Sequence, residues 1–222
     1  MPAATLLTPV DAKELLSDLH RPFASAHLDA WGRWDKLREI CLKAEAPELL
    51  LPLTATTRAN YVNNHCVDLI RTGVTTSESV SIVEINGLTA VLAHGGGQAA
   101  FVRFKLLSRD FAPSNVRTNV QKALSRQEWP ENLFHALGIA FIPTVLTCGY
   151  RMAIDQTSIS GVYVCCHYRS ELLWSYPITD AAGGIGDLEV LPIPDMPSPR
   201  PRIVSSIIPE KESNDADDAG SQ

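Results

Sequence analysis

The sequence of 222 residues has no run of apolar side chains that approaches the roughly 20 needed for a helix to cross a bilayer. Its longest apolar stretch, from Leu137 to Leu146, is short and contains Gly138 and Pro143. The first residues also lack the basic segment and long apolar run of a secretion signal. We therefore expect a cytoplasmic protein that has no membrane partner.

Cysteine is scarce, with five residues at irregular positions, and neither C-x-x-C nor H-E-x-x-H occurs. Free, buried thiols are therefore expected rather than disulfides or a zinc site. A predicted strand carries the consecutive residues Cys165, Cys166 and His167. Because side chains alternate between the two faces of a strand, Cys166 points away from its two neighbours. The glycine clusters at 95–97 and 183–186 lack the lysine of a phosphate-binding loop. The sequence thus predicts no metal and no cofactor.

Charged residues make up only 20% of the chain, and 25 acidic side chains exceed 19 basic ones to give a net charge of −6. That balance at first argues against a nucleic-acid partner. However, residues 209–222 carry five acids and one lysine, a net charge of −4. Residues 103–126 carry six basic side chains and one acid, Asp110, a net charge of +5. Because phosphate binding requires such local clustering, the overall charge does not exclude an anionic partner.

Apolar spacing and capping residues predict three helices in the first third of the chain. Thr8 and Pro9 form an N-cap and a first helical residue, and Pro22 is expected to end this helix. A second helix is expected over about 25–44 and a third from about residue 56 to Gly73. In both, apolar residues recur at spacings of three and four, which is typical of a helix with one buried face.

From Ser79 onward, the periodicity changes to the alternation of β-strands. Two strands flank Asn86-Gly87, the strongest signal for a type I′ hairpin turn. A third strand covers 99–107 and carries Phe101, Arg103 and Lys105 on one face. One more helix and three more strands are expected at about 115–128, 144–152, 161–168 and 172–178.

These elements predict an α+β protein, with N-terminal helices followed by an antiparallel β-sheet (meander) with an inserted helix and a disordered acidic C-terminal tail. Prolines recur every two or three residues from Pro192 to Pro201, and the charged end that follows has little to bury. We divide the chain into an N-terminal helical segment (1–52), an α+β core domain (53–178), and a Pro-rich linker with the disordered acidic tail (179–222).

The candidate binding surface combines the basic segment with the polar face of the third helix. Its amide, imidazole and basic side chains are suited to an anionic ligand or to a protein partner. The alternative is that these residues form solvated faces and protect a strand edge. The predicted site residues are Arg58, Asn63, Asn64, His65, Arg103, Lys105, Arg109, Arg117, Lys122 and Arg126.

A nuclease is a second interpretation, because a helix followed by a hairpin resembles the opening of restriction-endonuclease-like folds. Asp68 and Glu84 have plausible positions for metal-dependent cleavage, which needs two acids and a lysine two residues after the second. The residue two after Glu84 is Asn86, and Arg103 stands two residues before Lys105. The required triplet is absent, and no nucleophile is visible beside His65 as a general base. The sequence leaves open whether the protein is an enzyme.

Four segments resemble uncharacterised bacterial proteins encoded beside helix-turn-helix regulators that are fused to a metallopeptidase-like domain, in toxin–antitoxin or phage-defence gene pairs. The segments are Tyr61 to His65, Phe101 to Lys105, Thr118 to Gln127, and Cys148 to Arg151 leading to Trp174. The resemblance covers residues 55–178. It implies that this chain is the partner subunit and binds a protein encoded by the adjacent gene.

Three functions follow from these observations. The first is a component of a bacterial or phage toxin–antitoxin or defence-type module that acts by protein or nucleic-acid binding through the basic segment. The second is a nucleic-acid-processing, nuclease-like enzyme with a degenerate or unrecognised active site. The third is a structural accessory protein of a phage or prophage.

Overall fold

A computed structural model describes residues 6–44, 55–85, 87–114, 118–129 and 142–179. Several predicted features lie outside the described residues, namely Asn86 of the hairpin turn, Arg117 of the candidate site, the domain boundary at residue 52 and the tail over 180–222. None of the helices within the described ranges is both long and apolar enough to span a membrane.

Three helices precede the sheet: α1 (Pro9–Leu15), α2 (Ser17–Lys43) and α3 (Ala55–Gly73). Helix α1 begins with the predicted Thr8 cap, whose hydroxyl accepts a hydrogen bond from the Asp11 amide at 3.2 Å. The prediction that Pro22 ends a helix is wrong. The first helix ends at Leu15, Leu16 separates it from α2, and Pro22 lies inside α2. Burial of Phe23 and its neighbours holds the helix together through the proline, whose intrinsic cost is about 3 kcal/mol.

The strands form one six-stranded sheet in chain order, which together with the helices confirms the α+β class. Each strand agrees closely with its predicted position, because the alternation of apolar residues sets its extent. Gly87, in the predicted hairpin turn, has the positive φ of 76° that this turn requires. The elements are β1 (Val80–Ile85), β2 (Leu88–Gly95), β3 (Gln98–Leu107), α4 (Asn119–Ser125), β4 (Thr144–Met152), β5 (Ile159–Tyr168) and β6 (Glu171–Pro177).

The sheet differs from a purely antiparallel meander at its centre, where β3 and β4 are parallel. Their register runs from Ala100 beside Thr144 to Leu107 beside Arg151. A parallel pair needs a crossover rather than a hairpin, and the connection between these strands contains α4. The sheet therefore consists of two antiparallel meanders, β1 to β3 and β4 to β6, joined side by side.

Both faces of the sheet are covered, and β3 contributes to both cores. On one face, Val102 and Phe104 pack with buried residues of α1, α2 and α3. On the other face, Phe101 packs with Leu124 of α4 and with Val145. This alternation along β3 is the one that the sequence predicts, and the N-terminal helices share a core with the sheet.

At Gly149, β4 approaches β3 more closely than a side chain would allow. A Cβ atom on this residue would lie against the carbonyl oxygen of Lys105 and against Leu107. Gly149 and Lys105 are neighbours in the parallel register. The glycine thus lets the two strands pair beside Lys105.

A buried histidine, His27, lies between the helices and the sheet. Its Nδ1 is 3.3 Å from the Sγ of Cys66, and its ring lies near those of Phe104 and Tyr150. Burial lowers the pKa of His27 to about 4. His20, whose Nε2 is 3.1 Å from the Tyr176 hydroxyl, also has its pKa lowered to about 4, by burial and then by Lys13.

Because His27 is neutral in the folded protein but protonates when unfolded below about pH 6.5, folding should weaken as the pH falls. We expect His27→Leu to remove this contribution. The unfolding free energy of the variant minus that of the parent should rise by about 2 kcal/mol when the pH is lowered from 7.5 to 5. Urea denaturation at both pH values measures the difference, and a difference that is independent of pH would contradict the assignment.

Candidate anion-binding site

A step in the sheet creates the candidate site. Pairing of β2 with β3 ends at Ala90 and Arg103, whereas β3 continues to Leu107 beside β4. Residues of α3 border the step on one side, and Gln121 of α4 borders it on the other. Lys105 therefore lies between two helices, where β3 still pairs with β4 but no longer with β2.

The first cavity at this step, which we call the polar cavity, has a volume of about 280 Å³. Its only charged lining residue among those described is Lys105, and most of the others carry an amide or a hydroxyl. One ammonium group with many neutral donors and no carboxylate is the composition expected of an anion site. The lining residues are Thr56, Ala59, Asn60, Asn63, Lys105, Leu106, Ser114, Thr118 and Gln121.

A second cavity of about 330 Å³, the Arg71 cavity, shares Asn63, Lys105 and Gln121 with the polar cavity. Arg71 donates from Nε to Glu84 at 2.7 Å and from a terminal nitrogen to Asp68 at 3.0 Å. These bonds raise the pKa of Arg71, with the Glu84 hydrogen bond as the largest cause. Asp68, which lines this cavity, and Glu84, which pairs with Arg71 outside its lining, together balance the charges of Arg71 and Lys105. The Arg71 cavity therefore extends the polar cavity without adding positive charge.

Lys105 is half-buried and forms no hydrogen bond or ion pair within the described part of the chain. Burial, and then the nearby Arg103 guanidinium, lowers the pKa of the Lys105 ammonium. An anion bound beside the ammonium would oppose both causes, because an opposite charge favours the protonated form. Lys105 is thus a cation whose environment disfavours its charge until an anion is present.

Arg103 lies inside the protein, so its predicted place on the binding surface is wrong. Only 1% of the residue is exposed, because α4 covers this face of β3. Its guanidinium donates to the Thr147 hydroxyl at 3.0 Å, the Gln121 carbonyl at 3.3 Å and the Ser125 hydroxyl at 2.9 Å. With no carboxylate among these acceptors, burial lowers the pKa of Arg103 to about 10. Arg103 therefore connects β3, β4 and α4.

This network also positions Gln121, which lines both cavities. The carbonyl of Gln121 accepts from Arg103 and from the Ser125 hydroxyl, the latter at 2.8 Å. Its side-chain Oε1 is buried and has no hydrogen-bond partner in the described structure. Amide oxygen and nitrogen are interchangeable by a flip, so this side chain can offer either a donor or an acceptor to a ligand.

The other predicted site residues are divided between this site and more distant positions. Asn63 lines both cavities and Asn64 lines the Arg71 cavity. His65 instead packs against the Tyr61 ring, 4.4 Å away, and its Nδ1 is 3.4 Å from Arg33. The other five lie elsewhere on the surface or outside the described residues. Arg58 and Arg109 lie at the other end of α3, Lys122 and Arg126 are exposed at α4, and Arg117 is outside the described residues.

Three hydroxyl residues of the polar cavity were absent from the predicted site: Thr56, Ser114 and Thr118. Thr118 had a detectable signal, because it is the N-cap of α4 and accepts from the Gln121 amide at 3.2 Å. For Thr56, the sequence indicates only that the third helix begins near this residue. Nothing in the local sequence marks Ser114, since the tertiary structure alone brings it beside Lys105.

Thiol chemistry and metal binding have little support among the described residues. No group of three His, Cys, Asp or Glu side chains in these ranges is arranged to hold a metal ion. All five cysteines are free, and four are buried as predicted, whereas Cys41 is partly exposed. Burial raises the pKa of the Cys166 thiol to about 12 and that of Cys148 well above its ordinary value. Such thiols are poor nucleophiles.

No protein family, curated protein or solved structure matches this chain. The resemblance to partner proteins of defence-type regulators therefore stays a prediction, and the site must be interpreted from its own residues.

Thr147→Val should destabilise the protein by about 1–3 kcal/mol, because it removes an acceptor from the buried Arg103 guanidinium. The matched control is Thr72→Val on the exposed side of α3, where the hydroxyl only bonds the backbone of its own helix. The control should change stability by less than about 0.5 kcal/mol. Urea denaturation compares the two variants, and equal effects would contradict the role of Thr147.

Proposed function

We propose that the protein is the binding component of a two-gene toxin–antitoxin or defence-type module and that its polar cavity binds the phosphate groups of a nucleic acid. The observation that carries the phosphate site is the half-buried Lys105, which among the described residues has no ion-pair partner and lies in a cavity lined mainly by amides and hydroxyls, with no carboxylate. The resemblance over residues 55–178 supports the module.

A phosphate suits this cavity better than a small neutral ligand does. Phosphate oxygens accept several hydrogen bonds, and a cation beside them shortens and strengthens these bonds. Lys105 supplies the cation, while Asn63 and the hydroxyl of Ser114 lie on the same lining. Buried Arg103 adds a second positive charge behind the cavity. The local field therefore attracts anions even though the whole chain is acidic.

The two cavities together allow more than one phosphate to be contacted. They follow α3 from Thr56 to Arg71, a helix segment of roughly 22 Å. Neither lining contains an exposed aromatic side chain on which a base would stack among the described residues. Contact is therefore expected through the sugar-phosphate backbone, with little dependence on sequence.

Cleavage of the nucleic acid is a second candidate function, favoured by one observation. Asp68 and Lys105 line the same cavity, and Glu84 is linked to Asp68 through Arg71. Both acids, however, are ion-paired with Arg71, and the position two residues before Lys105 holds the buried Arg103. The described geometry therefore favours binding over metal-assisted hydrolysis.

Lys105→Met should weaken binding of fluorescent single-stranded and double-stranded oligonucleotides by about tenfold and reduce the slope of log K against log salt by about 1. Fluorescence anisotropy across a salt series measures both quantities. Lys36→Met, which removes an exposed charge from α2, is the matched control and should leave both unchanged. Equal binding by the Lys105→Met variant and the parent would overturn the phosphate site. If the parent produced Mg²⁺-dependent strand breaks and Asp68→Asn did not, cleavage would be favoured instead.

The module itself predicts a phenotype and a partner. Expressed in its host with the adjacent gene, the chain should co-purify with that gene's product, and its expression without that gene should change growth. Growth curves, pull-down and gels of total DNA and RNA distinguish the outcomes. Arrest with intact nucleic acid excludes a nonspecific nuclease, whereas normal growth without a co-purifying product contradicts the module.

A further inference from the structure

A third cavity, of about 220 Å³, lies at the N-terminal end of α3, and we call it the arginine cavity. It is separate from the phosphate site, although Leu106 contributes to both linings. Three arginines and a group of aliphatic side chains surround it. The lining residues are Ala55, Arg58, Leu106, Leu107, Ser108, Arg109, Arg151, Met152, Ala153, Ile154 and Gln156.

The three arginines, Arg58, Arg109 and Arg151, form no ion pair within the described residues. The acids nearest in sequence do not line the cavity, and Asp155 instead accepts a hydrogen bond from the Thr157 hydroxyl at 2.6 Å. Three arginines line this cavity and, among the described residues, no carboxylate does, so the guanidinium groups favour an anionic ligand.

Two of these guanidinium groups are held in fixed positions. Arg58 donates to the backbone carbonyl of Gln156 at 3.1 Å and to its side-chain oxygen at 3.2 Å. Arg151 lies over the ring of Phe111, 4.4 Å from its centre, and its buried Nε has no hydrogen-bond partner in the described structure.

The two residues that hold them, Phe111 and Gln156, have positive φ angles of 61° and 57°. Only glycine adopts this region without strain, and such strain in other residues concentrates at functional sites. Both strained residues contact an arginine of the same cavity. Strained backbone thus lies next to two of the arginines that line this cavity.

Aliphatic groups make the lining amphipathic. Leu106 and Met152 are half-buried, and Ile154 is 86% exposed at the tip of the β4–β5 turn. Together with Leu106 and Met152, Ile154 gives the cavity an apolar part beside its arginines, and protein interfaces combine an apolar centre with a polar rim. A nucleic-acid backbone would pair with the arginines but leave these aliphatic groups uncovered.

We propose that the arginine cavity binds an acidic peptide segment of a partner protein, in which an apolar residue lies next to two or more carboxylates. The carboxylates pair with Arg58, Arg109 and Arg151, and the apolar side chain packs against Leu106, Met152 and Ile154. This site does not depend on phosphate binding at Lys105.

The test is selection of a displayed random peptide library on the full chain. Peptides that combine Asp or Glu with a neighbouring Leu, Ile or Phe should be enriched about tenfold over the starting library. A labelled peptide from this set should then bind Arg109→Gln and Ile154→Ser at least about fivefold more weakly in fluorescence polarisation. Both substitutions are at exposed positions, so the variants should stay folded, which circular dichroism checks.

Two control variants separate this site from other surfaces. Arg38→Gln, an exposed arginine on α2 that pairs with Asp35, should bind the peptide like the parent, and so should Lys105→Met. Three outcomes would overturn the proposal: no enrichment of acidic, apolar peptides, equal binding by Arg109→Gln and Ile154→Ser, or displacement of the peptide from Lys105→Met by a single-stranded oligonucleotide. The last result would assign the arginine cavity to phosphates instead.

Discussion

In the parallel register of β3 and β4, Arg103 lies beside Thr147 and Lys105 lies beside Gly149. The first pair supplies the buried bond from the Arg103 guanidinium to the Thr147 hydroxyl, and the second requires the missing side chain of Gly149. Because β3 continues along β4 after its pairing with β2 has stopped at Arg103, Lys105 lies at an open step of the sheet. The polar cavity, the Arg71 cavity and the arginine cavity all adjoin this extension of β3 or its end.

The same extension concentrates positive charge. Arg103 and Lys105 point to one side of β3, two residues apart, and the described lining of the polar cavity offers no carboxylate to either. Burial disfavours the charged form of both side chains, and the Arg103 guanidinium further disfavours the charge of Lys105. The buried Arg103 guanidinium is stabilised because neutral oxygens accept its hydrogen bonds. Lys105 has no such acceptors in the described structure. The difference explains why one cation supports the fold and the other is available to a ligand.

Much of the fold was predictable from local patterns. Alternating apolar residues identified the strands, and the two faces of β3 were assigned correctly because side-chain direction in a strand alternates with sequence position. Asn63, Asn64 and Lys105 were also predicted as site residues, and the structure brings them to adjoining cavities. The charge pattern failed for Arg103, because sequence does not reveal which part of a face a later helix will cover.

The sequence alone determined the α+β class, the extents of the strands and the presence of a basic segment within an acidic chain, since each depends on residues close together in the chain. Only the tertiary structure decided that β3 and β4 run parallel, that α4 buries Arg103, and that Ser114 and Thr118 line the same cavity as Lys105. These features depend on the crossover between β3 and β4, which makes the two strands parallel and places α4 on one face of the sheet. Packing between residues far apart in the chain decides this arrangement, and no local periodicity encodes it.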